Sequence, residues 1–186
     1  MIRSEKDIRA DKVLWFAMST GRRPVLHVKA ELEAEGLTTY VAMHYVVEEK
    51  TGSKKKVFKP ALNNLIFVHT RKSIIQSVKS KIRNLCYMVR PVEGHNIPIV
   101  ITDEDMSHFM SVTSQYNEDF LFISPLDDDL RKGTRVRVLE GPFAGAEGVF
   151  VKHKGSSKRR LVVVLETLAA VSVEVSPKDV EVVTDH

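Results

Sequence analysis

Two runs of three carboxylates, Asp103-Glu104-Asp105 and Asp127-Asp128-Asp129, are the first groups in this chain that could move a proton or hold a cation. Asp103 to Asp105 follows Thr102 and leads into an apolar face of Met106, Phe109 and Met110. With an acid three residues after the threonine, this is the pattern of a capped helix start, where the helix dipole alone favours negative charge. Asp127 to Asp129 sits beside Pro125 in a polar stretch and reads as solvated linker. The seven histidines lack ligand spacing, and no glycine-rich phosphate loop or nucleophile motif is present. Cys86, the single cysteine, lies in an apolar context and is expected to be an inert packed thiol. We therefore expect no enzyme, no cofactor and no metal site.

Basic side chains are the other chemistry on offer. They cluster at Arg22-Arg23, at Lys54-Lys55-Lys56 and along Lys152 to Arg160. Each cluster could neutralise phosphate, yet 28 basic residues face 24 acidic ones, a formal charge of only +4. That surplus permits an acidic partner without demanding one. Lys54 to Lys56 has a plain reading as a solvated hairpin tip. The segment from Lys152 to Arg160 lacks the interleaved aromatics of a base-stacking platform, which argues against sequence-specific RNA reading.

These residues need elements to carry them, and the length of 186 residues suggests one or two domains. No apolar run approaches the roughly 20 residues of a membrane span, and the first residues lack a signal peptide's hydrophobic centre. One cysteine cannot form an internal disulfide, which fits a reducing cytoplasm. Residues 1–11 are charged and expected to be a flexible arm. Lys12 to Met18 alternates with both faces apolar, the signature of a strand covered on each side. A helix follows from Arg22, with Pro24 in its first turn, Val25, Val28 and Leu32 on one face, and Gly36 at its end.

Leu37 to Val47 is expected as a strand, Glu48 to Lys56 as a charged hairpin tip turning at Thr51-Gly52, and Val57 to Thr70 as a return strand. Lys72 to Ile82 carries a helical stripe of Ile74, Ile75, Val78 and Ile82. Leu85 to Val92 and Ile97 to Ile101 are extended around Gly94, and the helix after Thr102 completes a βαββαβα order. From Ser114 the composition turns polar around a short Phe120 to Ile123 run.

The C-terminal segment reads as a small barrel. Gly133, then Val136 and Val138 in an alternating run, lead to Gly141-Pro142-Phe143-Ala144-Gly145, and Gly148-Val149 opens the next strand. The glycines and proline impose a sharp turn, at which Phe143 can fold back as a plug. Leu161 to Leu165, Val171 to Val175 and Val180 to Val183 bring the total to five short strands, enough to curl into a barrel without long exposed edges. The expected fold class is α+β: a sandwich domain at 12–113, a linker at 114–130 and a β-barrel at 131–186.

Strand, glycine-rich turn and strand at 133–149 resemble the KOW motif of NusG-type transcription factors and some ribosomal proteins. The first domain resembles the N-terminal (NGN) domain of the same family. Trp15-Phe16 match its aromatic pair, and Thr20, Arg22 or Arg23, Val25 or Val28, Leu32 and Gly36 match the pattern that follows. Tyr40-Val41, Lys54 to Lys56 and Pro60 to Val68 occupy the places of its aromatic strand, basic hairpin and return strand. The return strand departs from the family's usual form. Leu62 and Leu65 replace two aromatics, Asn63-Asn64 replaces a Pro-Gly turn whose left-handed angles asparagine tolerates, and Ala42 lies near an expected proline. Those departures resemble specialised paralogues of the UpxY or RfaH antiterminator type, which serve polysaccharide operons.

The resemblance implies a cytoplasmic elongation or antitermination factor. Its NGN-like domain would dock on the clamp helices of RNA polymerase's largest subunit through Trp15, Phe16, Leu62 and Leu65, with Ile99 and Val100 as neighbours. Gln76-Ser77 would touch the opposite side of the cleft. Arg22, Arg23, Lys54, Lys55 and Lys56 would face upstream or non-template DNA. The KOW domain would recruit a small-subunit ribosomal protein or a termination factor, with Phe143 and Phe150 as candidate contacts. The alternative is an RNA- or ribosome-binding KOW protein.

Overall fold

The computed structural model describes residues 3–50, 52–115, 121–123, 133–152, 159–166 and 168–183. The chain begins with α1 (Arg3–Arg9), β1 (Leu14–Ser19), α2 (Val25–Ala34) and β2 (Thr38–Tyr40). A hairpin of β3 (Met43–Lys50) and β4 (Ser53–Pro60) follows, then β5 (Leu65–Thr70) and α3 (Lys72–Lys81). Short strands β6 (Cys86–Tyr87), β7 (Val89–Val92), β8 (His95–Pro98) and β9 (Val100–Ile101) lead to α4 (Asp103–Thr113). Among the described residues six more strands follow: β10 (Leu121–Ile123), β11 (Thr134–Val138), β12 (Glu147–Lys152), β13 (Arg159–Leu165), β14 (Ala169–Glu174) and β15 (Val180–Val182). The fold is α+β, as expected. Two compact units emerge, one of Met1–Ala42 with Pro60–Asp103, the other of Met43–Lys59 with Glu104–His186.

In the first unit, β1 is the central strand of an antiparallel sheet ordered β2-β5-β1-β6, with β9 also paired to β1. Trp15, Phe16, Ala17 and Met18 are all buried, so the double-sided apolar pattern of this strand reflects cover on both faces. Helix α2 buries Val25, Val28 and Leu32, and its end is a Schellman motif. There the Leu37 N–H donates to the Leu32 carbonyl at 3.1 Å and the Gly36 N–H to Glu33 at 3.0 Å, with Gly36 at φ 79°. Glu93 and Gly94 both have positive φ, the backbone of the tight turn that joins β7 to β8.

Several expectations need correction. Residues 3–9, expected as part of a flexible arm, form a helix that buries Ile8, and Asp11 caps α3 by accepting from the Ser73 N–H and hydroxyl at 2.9 and 2.6 Å. The strand expected over Leu37 to Val47 breaks at buried Val41-Ala42, because β2 pairs with β5 whereas β3 leaves to pair with β4. Neither Asn63 nor Asn64 has a left-handed backbone; among the asparagines Asn84 does, at φ 62°. Ile74 is 45% exposed, since the buried stripe of α3 runs through Ile75 and Val78 to Ile82. Cys86 lies exposed on a two-residue strand. Thr51, Phe120 and Asp127 to Asp129 lie outside the described residues.

In the second unit the strands pair in the order β10-β14-β13-β12-β11-β15. Five of them match the expected barrel strands; the sixth, β10, comes from the segment expected as linker. Val136, Val138, Leu161, Val163, Val171 and Val173 fill its interior. The turn between β11 and β12 folds Phe143 inward, to 6% exposure, as the plug reading requires. It is held by a Gly145 N–H to Val138 carbonyl bond of 2.8 Å and a Val138 N–H to Ala146 carbonyl bond of 2.9 Å.

Gly148 is needed for a different reason, since a Cβ there would lie 2.4 Å from the Val162 carbonyl oxygen on the neighbouring strand. We therefore expect Gly148→Ala to force β12 and β13 apart, costing about 1–3 kcal/mol as overpacking does. A lowered urea midpoint, read by tryptophan-independent circular dichroism, checks this.

Candidate functional site

Most of the apolar residues expected at a polymerase contact are interior. Phe16, Ile99, Val100 and Leu65 are exposed by 0, 2, 5 and 7%, and Trp15 by 6%. β1 lies mid-sheet, bonded to β5 on one edge and to β9 and β6 on the other, and its side chains are covered on both faces. Trp15 also stacks on His69 with ring centroids 4.7 Å apart. These side chains hold the sheet together and present little surface to a partner. Leu62 differs, because it lies half-buried on the loop between β4 and β5. Gln76 and Ser77 are exposed on α3, and the Tyr87 hydroxyl donates to Gln76 Oε1 at 3.1 Å. Burial pushes the Tyr87 hydroxyl's pKa up, so it remains a donor at neutral pH.

The two expected arginines have different fates. Arg23 forms a two-point ion pair with Glu31 and donates to the Arg83 carbonyl at 3.2 Å, so its charge is spent inside the protein. That pairing raises the Arg23 pKa and lowers that of Glu31. Arg22 is exposed and borders an open groove of about 630 Å³ at the start of α2. Pro24, Leu26, His27, Pro60 and Asn63-Asn64 line the same groove, a mixture of apolar and polar side chains.

On the hairpin, Lys54, Lys55 and Lys56 are exposed along β4, which extends through the segment expected as a charged tip. The hairpin also carries an aromatic pair that sequence reading missed. Tyr45 and Phe58 are each 41% exposed, with ring centroids 4.8 Å apart, and the Lys56 ammonium lies 4.4 Å from the Tyr45 centroid. Their alternation with half-buried neighbours on opposite strands was the available signal. Of the basic segment at 152–160, residues 153–158 lie outside the described residues, and Arg160 is bonded to the Ser172 hydroxyl at 2.6 Å.

The NusG family model, described as transcription termination factor NusG, matches residues 14–110. This chain belongs to the NusG family. A solved structure titled "Domain interaction in Thermotoga maritima NusG" is similar at 17% identity and a TM-score of 0.42, covering 93% of this chain and 98% of that one. No curated protein matches. NusG-family proteins are non-enzymatic transcription factors with RNA polymerase as their general partner. Among the described residues of this NusG-family chain there is no helix long and apolar enough to cross a membrane.

Beyond the matched region, the turn-and-strand segment centres on buried Glu147. Its carboxylate accepts from Arg137 Nε at 2.8 Å and lies 3.5 Å from Arg135, while Arg137 reaches Glu181 on β15 at 3.4 Å. Arg137 thus ties three adjacent strands together. The Glu147 N–H donates to His108 Nδ1 at 3.3 Å. Phe143 and Phe150, candidate partner contacts, are both buried, at 6 and 8% exposure, and belong to the interior.

Hydrogen bonding and charge from Arg137, aided by His108 and Arg135, hold the Glu147 carboxyl below the usual glutamate range. A depressed folded-state pKa stabilises the fold above the ordinary glutamate value, and that contribution disappears as pH falls through the lowered value. Glu147→Gln should therefore cost about 1–2 kcal/mol at neutral pH, and the gap to wild type should close in acid. Urea midpoints of both proteins at a series of pH values from about 7 down to 3 would measure this.

Proposed function

We propose that this chain is a transcription elongation factor of the antiterminator type. Its first domain docks on the clamp helices of the largest RNA polymerase subunit, bridges the cleft and suppresses pausing or termination. Its C-terminal KOW barrel recruits a second partner, a small-subunit ribosomal protein or a termination factor. The departures around Leu62 to Leu65 are what supports a specialised role, at polysaccharide operons. The observation that carries this reading is the family match over residues 14–110, which spans the whole central sheet and helices α2 and α3.

Exposure decides which side chains are free to make the contact. Leu62 remains the best apolar candidate, joined by Leu26, which is 43% exposed on the groove beside Arg22. Gln76 and Ser77 are available for the far side of the cleft. Arg22 and Lys54 to Lys56 supply cations for upstream or non-template DNA, a contact that weakens as salt displaces it. No bond is made or broken in such a mechanism. Binding energy that differs between the paused and moving states of the polymerase shifts the balance between them.

The test is binding to purified bacterial core polymerase by the wild type, Leu62→Glu and Phe16→Tyr. We expect Leu62→Glu to lose roughly tenfold or more in affinity while remaining folded, as a charge buried in an interface centre does. Phe16→Tyr should act through stability alone, leaving the affinity of the folded fraction unchanged. Binding to ribosomes or RNA in place of polymerase would replace this reading with that of an RNA- or ribosome-binding KOW protein.

A further inference from the structure

We propose that the outward face of the β3–β4 hairpin is a stacking platform for single-stranded nucleic acid. This extends the proposed function, in which the hairpin lysines only neutralise phosphate. Alternation sorts the hairpin's side chains into two sets. Tyr45, Val47 and Glu49 are exposed on β3 while His44, Val46 and Glu48 are half-buried; on β4, Lys54, Lys56 and Phe58 are exposed on the matching face, and of the other face Val57 and Lys59 are half-buried while Lys55, nearer the turn, is exposed. The half-buried set makes its own contacts: the His44 ring meets Phe122 edge-on at 5.8 Å, and Lys59 pairs with Glu48 across the hairpin at 3.0 Å. The outward set has a contiguous apolar centre of Tyr45, Phe58 and Val47, the last 61% exposed.

Charge selects the occupant. Met43 to Pro60 holds five lysines against two glutamates, and the exposed run Lys54 to Lys56 adjoins the aromatic pair. An aromatic surface edged by cations matches unpaired bases on a phosphate backbone, because every base has a π-face and every nucleotide a charge. Paired bases keep their faces inside the duplex, so this surface favours single strands. Lys56, now over the Tyr45 ring, has a flexible stem that can swing to a phosphate when a base takes its place.

The experiment is fluorescence anisotropy with labelled single-stranded DNA and RNA oligonucleotides and a duplex of the same sequence, using the full chain. Wild type should prefer the single strands. Tyr45→Leu with Phe58→Leu keeps apolar bulk without aromatic faces, and should lose roughly tenfold or more in single-strand affinity. Its salt dependence should stay unchanged, whereas replacing Lys54, Lys55 and Lys56 by alanine should flatten it. Equal affinity of the leucine variant and wild type, a preference for duplex, or no binding of either single strand would overturn the proposal. Polymerase binding by the leucine variant is measured alongside. Loss of polymerase binding with single-strand binding intact would make the hairpin a protein contact and overturn the platform, whereas failure of wild type to bind polymerase would count against the proposed function alone.

Discussion

Everything in the first unit depends on β1 having no free edge. Six residues pair along their whole length with β5, and the opposite edge is shared between β9 and β6. At the gap between those two, the Ala17 N–H donates to Ile99 and the Ala17 carbonyl accepts from Met88, at 3.1 and 2.9 Å, so the strand's backbone remains satisfied where its partner changes. Both faces of the strand are covered as well, and Trp15 to Met18 supply the apolar side chains that such cover requires. Any account of what this protein touches must therefore begin outside that strand.

That constraint also explains what could be read in advance. Helix stripes, the glycine after α2 and the turn around Phe143 were legible because each rests on a local rule of periodicity or backbone angle. The apolar contact surface was not. Trp15, Phe16 and Leu65 have the same residue types whether they line a core or an interface, and only the pairing of distant strands decides between the two. Cys86 shows the converse: its neighbours Leu85 and Met88 are apolar, yet a two-residue strand turns the thiol outward. The Phe120 to Ile123 run gave no sign of its pairing with β14, since β10 is too short to show a period.

Charge in this protein is divided between internal and external use. Arg23, Arg137 and Arg160 are engaged by Glu31, Glu147 and the Ser172 hydroxyl and carbonyl, where the guanidinium's fixed fork can satisfy several acceptors at once. Lys54 to Lys56 are lysines on an exposed strand, compact charges on flexible stems. The division does not follow residue type, since Lys59 is paired with Glu48 and Lys81 with Glu35 whereas Arg22 is exposed. The small net charge is therefore a poor guide: what matters is where the cations lie on the surface.

The cap that Asp11 provides to α3 has a practical side. Ser73 lowers the pKa of the Asp11 carboxyl through its hydroxyl and N–H, so the cap stays ionised at neutral pH. The residues before the central sheet, which composition alone marks as dispensable, are thereby fastened to the helix that displays Gln76 and Ser77. Trimming the chain to its sheet-forming core, or fusing an affinity handle directly at Lys12, would unfasten the start of that helix. Defective activity in such a shortened protein would then reflect a loosened helix end, with every proposed contact residue still present.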